Sequence, residues 1–291
     1  MKRTALLLVA TFIAFQTFAQ TDANMGIIPA PVSVKKTNQI FQLDQTVTLL
    51  STEAANAQTA DLLNAFIVKN GGFALRESKA ATSGQKAIVL TSVGADQLPD
   101  EGYSIQITTS GIKVAGKGAG LFYAVQSLMQ LMPAKKDNKI NIQTTEIKDY
   151  PRFKYRGMHL DVSRHFFPVS FIKKYIDVLA SYKINTFHWH LTDDQGWRIE
   201  IKKYPKLTSV GAKRNGTIVG NYPGTGGTDG KPHDGFYTQD EARQIIAYAA
   251  SKYITVISEI EMPGHASAAI AAYTELSALP DRDTWAGEKA N

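Results

Sequence analysis

The sequence predicts an α/β protein in two parts: a small N-terminal α+β domain, then a domain built on parallel strands. Three observations support this prediction. The 291 residues suffice for two medium-sized domains, and 44% of them are apolar, which is enough to bury a core. The pattern changes near residue 150, and beyond it strands and helices alternate, as is typical of a parallel sheet with right-handed crossovers. We place the two domains at residues 21–150 and 151–291.

The first twenty residues predict a secretory signal peptide. Lys2 and Arg3 form a basic start, Ala5 to Phe18 is mostly apolar, and Thr17-Phe18-Ala19 offers a cleavage site. A membrane anchor is the alternative, but this apolar run is too short to span a bilayer. We therefore expect an exported protein, periplasmic or secreted, without a membrane span.

The composition excludes two other classes of protein. The chain has no cysteine, so it has no disulfide framework, and its stability must come from its core. Its formal net charge is +6, yet lysine and arginine nowhere form a long run. Because nucleic-acid binding usually requires a clustered basic surface, we expect no nucleic-acid partner.

The first domain is predicted to be rich in strands. Strand patterns occur in QIFQLDQTVTLL, in KAIVLTSV and in GYSIQITTSGIKVAGK, the last being two strands joined by a turn at Ser110-Gly111. Helical patterns occur in TADLLNAFIVKNGG, which ends at Gly71-Gly72, and in GAGLFYAVQSLMQLM, which ends before Pro133. The domain shows no catalytic set of residues of its own.

The second domain begins with a change of rhythm. The strand YRGMHLDV is followed by a helix that begins at Pro168, and the strand INTFHWHL comes next. After a long loop rich in glycine and proline, Thr238 and Glu241 predict a capping box for a second helix. The segment YITVISEIEMPGH then predicts a third strand.

Polar side chains follow each of these three strands. They are Asp161, Ser163 and Arg164 after the first, His190, Asp193 and Asp194 after the second, and Glu259, Glu261 and His265 after the third. In parallel α/β folds the working residues lie at the carboxyl ends of strands. Three consecutive strands that bring charge to one edge therefore predict a site.

Two interpretations of the histidines remain open. His188 and His190 share one face of a strand, because side chains alternate with period two. That spacing suits a metal ion, with Asp193 and His265 as further ligands, and would make the protein a metal-dependent hydrolase. In the plainer interpretation, the histidines bond to strand ends and pack on nearby tryptophans.

The other charged residues also allow more than one role. Glu259 and Glu261 could be the two carboxylates of a glycosidase, but on one strand they are too close to flank a sugar ring. Asp193 could fix the tautomer of His265, and such a pair normally serves a third group. Arg164 is suited to two vicinal hydroxyls or to a carboxylate, and it could equally be a salt-bridge partner.

Four long stretches resemble a known family. RGMHLDVSRHFFP, KINTFHWHLTDDQGWRIEIKKYPKL, GFYTQDEARQIIAYA and SEIEMPGHASAAIAAYTELS are similar to family 20 glycoside hydrolases, the β-N-acetylhexosaminidases, and the likeness extends from about Ile27 to Ser277. The resemblance implies a (β/α)₈ barrel that removes terminal N-acetylglucosamine or N-acetylgalactosamine with retention of configuration. The substrate's own acetamido oxygen acts as the nucleophile, which is an exception to the two-carboxylate rule.

The resemblance also assigns roles by position. Arg164 corresponds to the arginine that holds the sugar's 3- and 4-hydroxyls, and Glu261 to an acidic residue near the substrate. Asp193 and His265 correspond to the relay that bonds to the catalytic glutamate, while His190 corresponds to a structural residue. The implied partners are N-acetylhexosamine-terminated glycans or chitooligosaccharides. No metal and no cofactor are implied.

The sequence departs from the family pattern. The family's His-x-Gly-Gly-Asp-Glu motif, which supplies the acetamido-orienting aspartate and the general acid, does not occur in the 291 residues. A complete barrel takes roughly 250 residues, more than the stretch from Arg152 to Asn291. We therefore expect an incomplete (β/α)₈ TIM barrel, with its first three βα units only, and an inactive fragment. A non-catalytic carbohydrate-binding protein is the further alternative.

Overall fold

The computed structural model describes residues 25–51, 53–80, 83–133, 138–220 and 227–278. The predicted signal peptide lies outside these residues. The chain forms two compact units that divide between Pro151 and Arg152. In the described part of the chain, no helix is long and apolar enough to cross a membrane.

The first unit is built on a mixed sheet of seven strands in the order β1-β7-β5-β6-β4-β2-β3. The strands are β1 (Ser33–Leu43), β2 (Thr48–Ser51), β3 (Arg76–Ser78), β4 (Ala87–Thr91), β5 (Tyr103–Ile107), β6 (Gly111–Gly116) and β7 (Ile140–Asp149). The predicted hairpin is confirmed, since β5 pairs antiparallel with β6. The single strand predicted for QIFQLDQTVTLL is wrong: the chain turns after β1, where the Asp44 carboxylate accepts the N–H of Thr46 at 2.9 Å.

Two α-helices accompany this sheet, α1 (Ala57–Gly71) and α2 (Ala119–Gln130), with short 3₁₀ turns at Ala54–Asn56 and Ala95–Gln97. The end predicted for α1 is confirmed, because Gly72 has a φ of 83° and caps the helix in the left-handed conformation. Helix α2 is buried from Gly120 to Leu128.

The second unit contains the alternating pattern. Its elements are β8 (Gly157–Asp161), α3 (Val169–Ser181), β9 (Thr186–His190), β10 (Thr192–Asp193), β11 (Gly196–Trp197), α4 (Lys206–Ser209), α5 (Gln239–Ala250), β12 (Thr255–Glu259) and α6 (Ser267–Ala272), followed by a 3₁₀ turn at Thr274–Leu276. The parallel sheet is confirmed, with β9 between β8 and β12. That these strands are the first three of an incomplete eight-stranded barrel stays a prediction.

The two helices predicted for this unit form where the sequence placed them. Helix α3 follows Pro168 and buries Ile172 and Ile176. Helix α5 begins with the predicted capping box, in which Thr238 accepts the N–H of Glu241 and the Glu241 carboxylate accepts the N–H of Thr238. The caps fix where each helix starts, and burial of the apolar stripes holds the helices in place.

The third strand is shorter than predicted. It ends at Glu259, and Glu261 lies beyond it. The N–H of Glu261 donates to the hydroxyl of Thr192 at 2.8 Å instead of continuing the sheet. The prediction that Glu259 and Glu261 share the face of one strand is therefore wrong.

Candidate active site

The register of the parallel sheet places three ionisable residues side by side at its carboxyl edge. Asp161 of β8 lies opposite His190 of β9, and His190 lies opposite Glu259 of β12. Strand β9 is central, and its Phe187 and Trp189 are fully buried. Side chains alternate along a strand, so His190 projects from the face opposite to Phe187 and Trp189. There it lies between Asp161 and Glu259.

Asp193 is buried at the centre of several polar contacts, and its side chain is 1% exposed. Its Oδ2 lies 2.7 Å from Arg164 Nη2 and 2.7 Å from His190 Nε2. Its Oδ1 accepts the N–H of Asp194 at 2.8 Å and lies 3.2 Å from His265 Nδ1. A buried carboxylate needs such compensation, and here three side chains and one backbone group provide it.

Arg164 joins two of the strand ends. Its Nη1 donates to Asp161 Oδ2 at 2.8 Å, and its Nε donates to Gln195 Oε1 at 2.9 Å. Asp161 in turn accepts the backbone N–H groups of Ser163 and Arg164, which fixes the turn after β8. Burial opposes ionisation of Asp161, but these hydrogen bonds outweigh it and lower its pKa. Arg164 is thus a salt-bridge partner that remains 45% exposed and accessible to a ligand.

His265 is held by two aspartates, of which the sequence had paired it with only one. Its Nδ1 lies 3.1 Å from Asp194 Oδ2, slightly closer than to Asp193. Asp194 is itself anchored by the N–H and hydroxyl of Ser267, at the start of α6. The hydrogen bond to Asp194 and the charge of Asp193 raise the pKa of His265. Asp194 is adjacent to Asp193 in the sequence, but the sequence does not show which of the two aspartates bonds to His265.

Glu259 lies among three histidines, a grouping that sequence reasoning missed. Its Oε2 is 2.5 Å from His190 Nδ1, 2.8 Å from His188 Nε2 and 3.7 Å from His159 Nε2. Burial disfavours the ionised carboxylate, but the hydrogen bond and charge of His190 lower the pKa of Glu259. Glu261, two residues further along the chain, is half-buried.

The four histidine and aspartate residues predicted as metal ligands do not form one group in the described part of the chain. The potential ligand atoms that lie within 4.8 Å of one another fall into two sets instead, one around Glu259 with His159 and His190, the other combining Asp194 with Asp193 and His265. His190 uses both ring nitrogens for carboxylates, so it joins the two sets by hydrogen bonds.

A buried arginine supports the segment that carries Arg164. Arg198 is fully buried and donates to the carbonyl oxygens of Ser163, Ala212 and Gly235. Burial, reinforced by the charge of Arg214, lowers the pKa of Arg198 to about 10. This role could not be predicted from the sequence, because an arginine that bonds to backbone carbonyl oxygens leaves no pattern of residue types or spacing.

These observations define a class of protein: an α/β chain with a charged site at the carboxyl ends of parallel strands. The profile "Glycosyl hydrolase family 20, catalytic domain" matches residues 153–291, and "Glycosyl hydrolase family 20, domain 2" matches residues 24–150. The chain belongs to glycosyl hydrolase family 20.

Individual relatives agree with this family. The chain is 42% identical to a β-hexosaminidase of Porphyromonas gingivalis over 266 residues, covering 89% of this chain and 33% of that protein. It is 41% identical to a β-hexosaminidase of Vibrio furnissii, covering 87% of this chain and 40% of the relative. The chain thus spans about a third to two fifths of the length of these curated relatives.

Solved structures show the same fold. An exo-β-N-acetylglucosaminidase from Vibrio harveyi in complex with N-acetylglucosamine superposes with a TM-score of 0.73 at 35% identity, covering 87% of this chain and 38% of that one. A Streptomyces plicatus N-acetyl-β-hexosaminidase superposes with a TM-score of 0.75 at 31% identity. The match covers 90% of this chain and 55% of that one.

Proposed function

We propose that the complete gene product removes terminal N-acetylhexosamine from glycans or chitooligosaccharides, with retention of configuration and with the substrate's acetamido oxygen as nucleophile. The observation that carries this proposal is the environment of Asp193, which is bound by Arg164 on one oxygen and by His265 on the other. Family membership supports it, as do the relatives named β-hexosaminidase and the complex of one relative with N-acetylglucosamine.

Each residue of the site takes one role in this proposal. The half-exposed guanidinium of Arg164 binds the sugar's vicinal hydroxyls, since its planar fork suits two acceptors side by side. Asp193 and His265 bond to the general acid and adjust its proton affinity, and Glu261 lies near the sugar. The general acid and the aspartate that orients the acetamido group belong to the Gly-Gly-Asp-Glu motif, which does not occur in these 291 residues.

Export is a separate part of the proposal. The basic start and apolar run of residues 1–20 support it. Glycans and chitooligosaccharides outside the cytoplasm would then be the available substrates. A metal-dependent hydrolase has no comparable support, because the potential ligands form two separate groups and His190 bonds to a carboxylate in each.

Hydrolysis of p-nitrophenyl N-acetyl-β-D-glucosaminide by the complete gene product tests the proposal. We expect Arg164→Lys to lower kcat/KM about 10- to 100-fold, because an ammonium cannot donate side by side to two hydroxyls and to Asp193. Arg243→Lys is the matched control, since Arg243 is an exposed arginine of α5 that bonds to Asp240. Absence of hydrolysis by the complete product, or equal effects of the two variants, would contradict the proposal.

A further inference from the structure

His190 connects two carboxylates that lie on opposite sides of its ring. Its Nδ1 is 2.5 Å from Glu259 Oε2, and its Nε2 is 2.7 Å from Asp193 Oδ2. A carboxylate oxygen without a proton only accepts, so each of these hydrogen bonds needs its own proton. A neutral imidazole carries one proton, whereas an imidazolium carries two. Both bonds form with ionised carboxylates only if His190 is the imidazolium.

We infer that His190 is a positioning residue: as an imidazolium it links Glu259 to Asp193 and holds the Asp193 carboxylate toward His265. This inference rests on the proposed function for its catalytic consequence, although the protonation of His190 can be measured without any substrate. It replaces the purely structural role that the sequence assigned to His190.

The charges around His190 favour this state. Three carboxylates face the ring: Glu259 from β12, Asp193 beyond the end of β9, and Asp161 from β8. The opposing cation is Arg164, whose Nη1 lies 3.2 Å from Nε2. His188 and His159 lie on the side of Glu259. Burial disfavours the charged ring, but the hydrogen bonds to the two carboxylates outweigh it and raise the pKa of His190.

The alternative is a neutral His190 with one carboxyl protonated. Protonation of Asp193 would remove its attraction to Arg164 Nη2 at 2.7 Å. Protonation of Glu259 would force its Oε2 to donate to one histidine, although the same oxygen also lies 2.8 Å from His188 Nε2. The imidazolium state keeps the attraction between Asp193 and Arg164 and leaves Glu259 Oε2 an acceptor for both histidines, and the two ionised carboxylates offset the 3.2 Å approach of Arg164 Nη1 to His190 Nε2.

The bridge that His190 forms between Glu259 and Asp193 determines which oxygen of Asp193 contacts His265. Arg164 and His190 occupy Oδ2, so Oδ1 remains for the backbone N–H of Asp194 and for His265. Two cations on one oxygen also reduce the negative potential that His265 experiences. Loss of the His190 charge should therefore raise the pKa of His265 and allow the Asp193 carboxylate to rotate.

The first test is NMR spectroscopy of the complete gene product with ¹⁵N-labelled histidine. The ring of His190 is identified as the signal that disappears in His190→Gln. We expect both ring nitrogens of His190 to carry protons at pH 7. A ring with one protonated nitrogen at that pH would overturn the inference.

The second test compares two variants that each remove a histidine from Glu259. His190→Gln also removes the contact with Asp193, whereas His188→Gln does not, so His188→Gln is the matched control. We expect the pKa of His265 to shift upward in His190→Gln and to stay unchanged in His188→Gln. Equal shifts in both variants would mean that His190 acts only through general packing, and would refute the inference.

The catalytic consequence is tested by hydrolysis of p-nitrophenyl N-acetyl-β-D-glucosaminide across a range of pH. We expect His190→Gln to lower kcat about a hundredfold and to displace the pH profile of kcat, with a smaller effect on KM, since misplaced catalytic groups lose rate rather than binding. A doubly protonated His190 in a gene product without hydrolysis would overturn the proposed function but not the link itself. If kcat and its pH profile in His190→Gln equal those of the wild type, the bridge through His190 has no role in catalysis.

Discussion

At the scale of single residues, the side chains that support the site are as informative as those that form it. His233 accepts the backbone N–H of Phe166 at 2.9 Å, and thereby fixes the chain just after Arg164. Its ring stacks on His165 at 4.6 Å. Burial, with the charges of Arg214 and Arg198, lowers the pKa of His233 to about 4. A protonated ring could not accept the Phe166 N–H, so the site requires neutral His233.

This residue makes a pH dependence testable. The folded pKa of His233 lies below the ordinary value of 6.5, so the unfolded chain binds more protons between pH 6.5 and 4. The stability contributed by neutral His233 is present above pH 6.5 and is lost as the pH falls through about 4. We expect His233→Gln, which keeps an acceptor but does not titrate, to reduce the fall in the free energy of unfolding across this range.

Urea unfolding at several pH values measures this effect, and His165→Gln is the control because it removes the stacked neighbour but leaves the acceptor in place. Stability that falls equally in wild type and His233→Gln between pH 6.5 and 4 would show that another group is responsible.

At the scale of elements, β9 organises the second unit. Its buried face carries Phe187 and Trp189, and its other face carries His188 and His190. Pairing with β8 and β12 on either side places Asp161 and Glu259 beside His190. The hydrophobic alternation of one strand therefore sets the register of the polar site, because a slip by one residue would exchange the two faces.

Helix α5 offers a test of the capping box that the sequence predicted. The Thr238 hydroxyl accepts the N–H of Glu241 at 3.1 Å at the start of α5. We expect Thr238→Ala to reduce the free energy of unfolding by about 1 kcal/mol, because it leaves an N–H of the first turn without its acceptor. Chemical denaturation measures the change. Thr238→Ser keeps the hydroxyl and should remain close to wild type, so equal losses in both variants would rule out the cap as the cause.

At the scale of the whole molecule, the charged site belongs to one of the two compact units. The first unit contains a seven-stranded mixed sheet, while the charged strand-end site belongs wholly to the second. The family's Gly-Gly-Asp-Glu motif occurs in neither.

The proposed function predicts the activity of the 291 residues by themselves. We expect them to hydrolyse p-nitrophenyl N-acetyl-β-D-glucosaminide at least about 10²- to 10⁴-fold more slowly than the complete gene product, because a missing general acid alone costs that much. Rate measurements on both proteins, with circular dichroism to confirm that the shorter one is folded, decide the matter. Comparable rates would mean that another residue of this chain supplies the proton.

The sequence by itself determined the features that depend on local pattern. Alternation and helical spacing predicted the order of strands and helices, Thr238 and Glu241 predicted a helix start, and Gly72 predicted a helix end. The long motifs identified the family, and parallel strands predicted that Arg164 and its partners would lie at one edge. These features follow from short-range geometry, which a single sequence records directly.

Only the tertiary structure decided which charged groups meet. The turn at Asp44 divided a predicted strand, and the contact of Glu261 with Thr192 ended another. The pairing of Asp194 with His265 and the bridge from Glu259 through His190 depend on register between strands far apart in the chain. Hydrogen bonds and charges act over a few ångströms of space, whatever the sequence separation, so residue types and spacing alone cannot specify them.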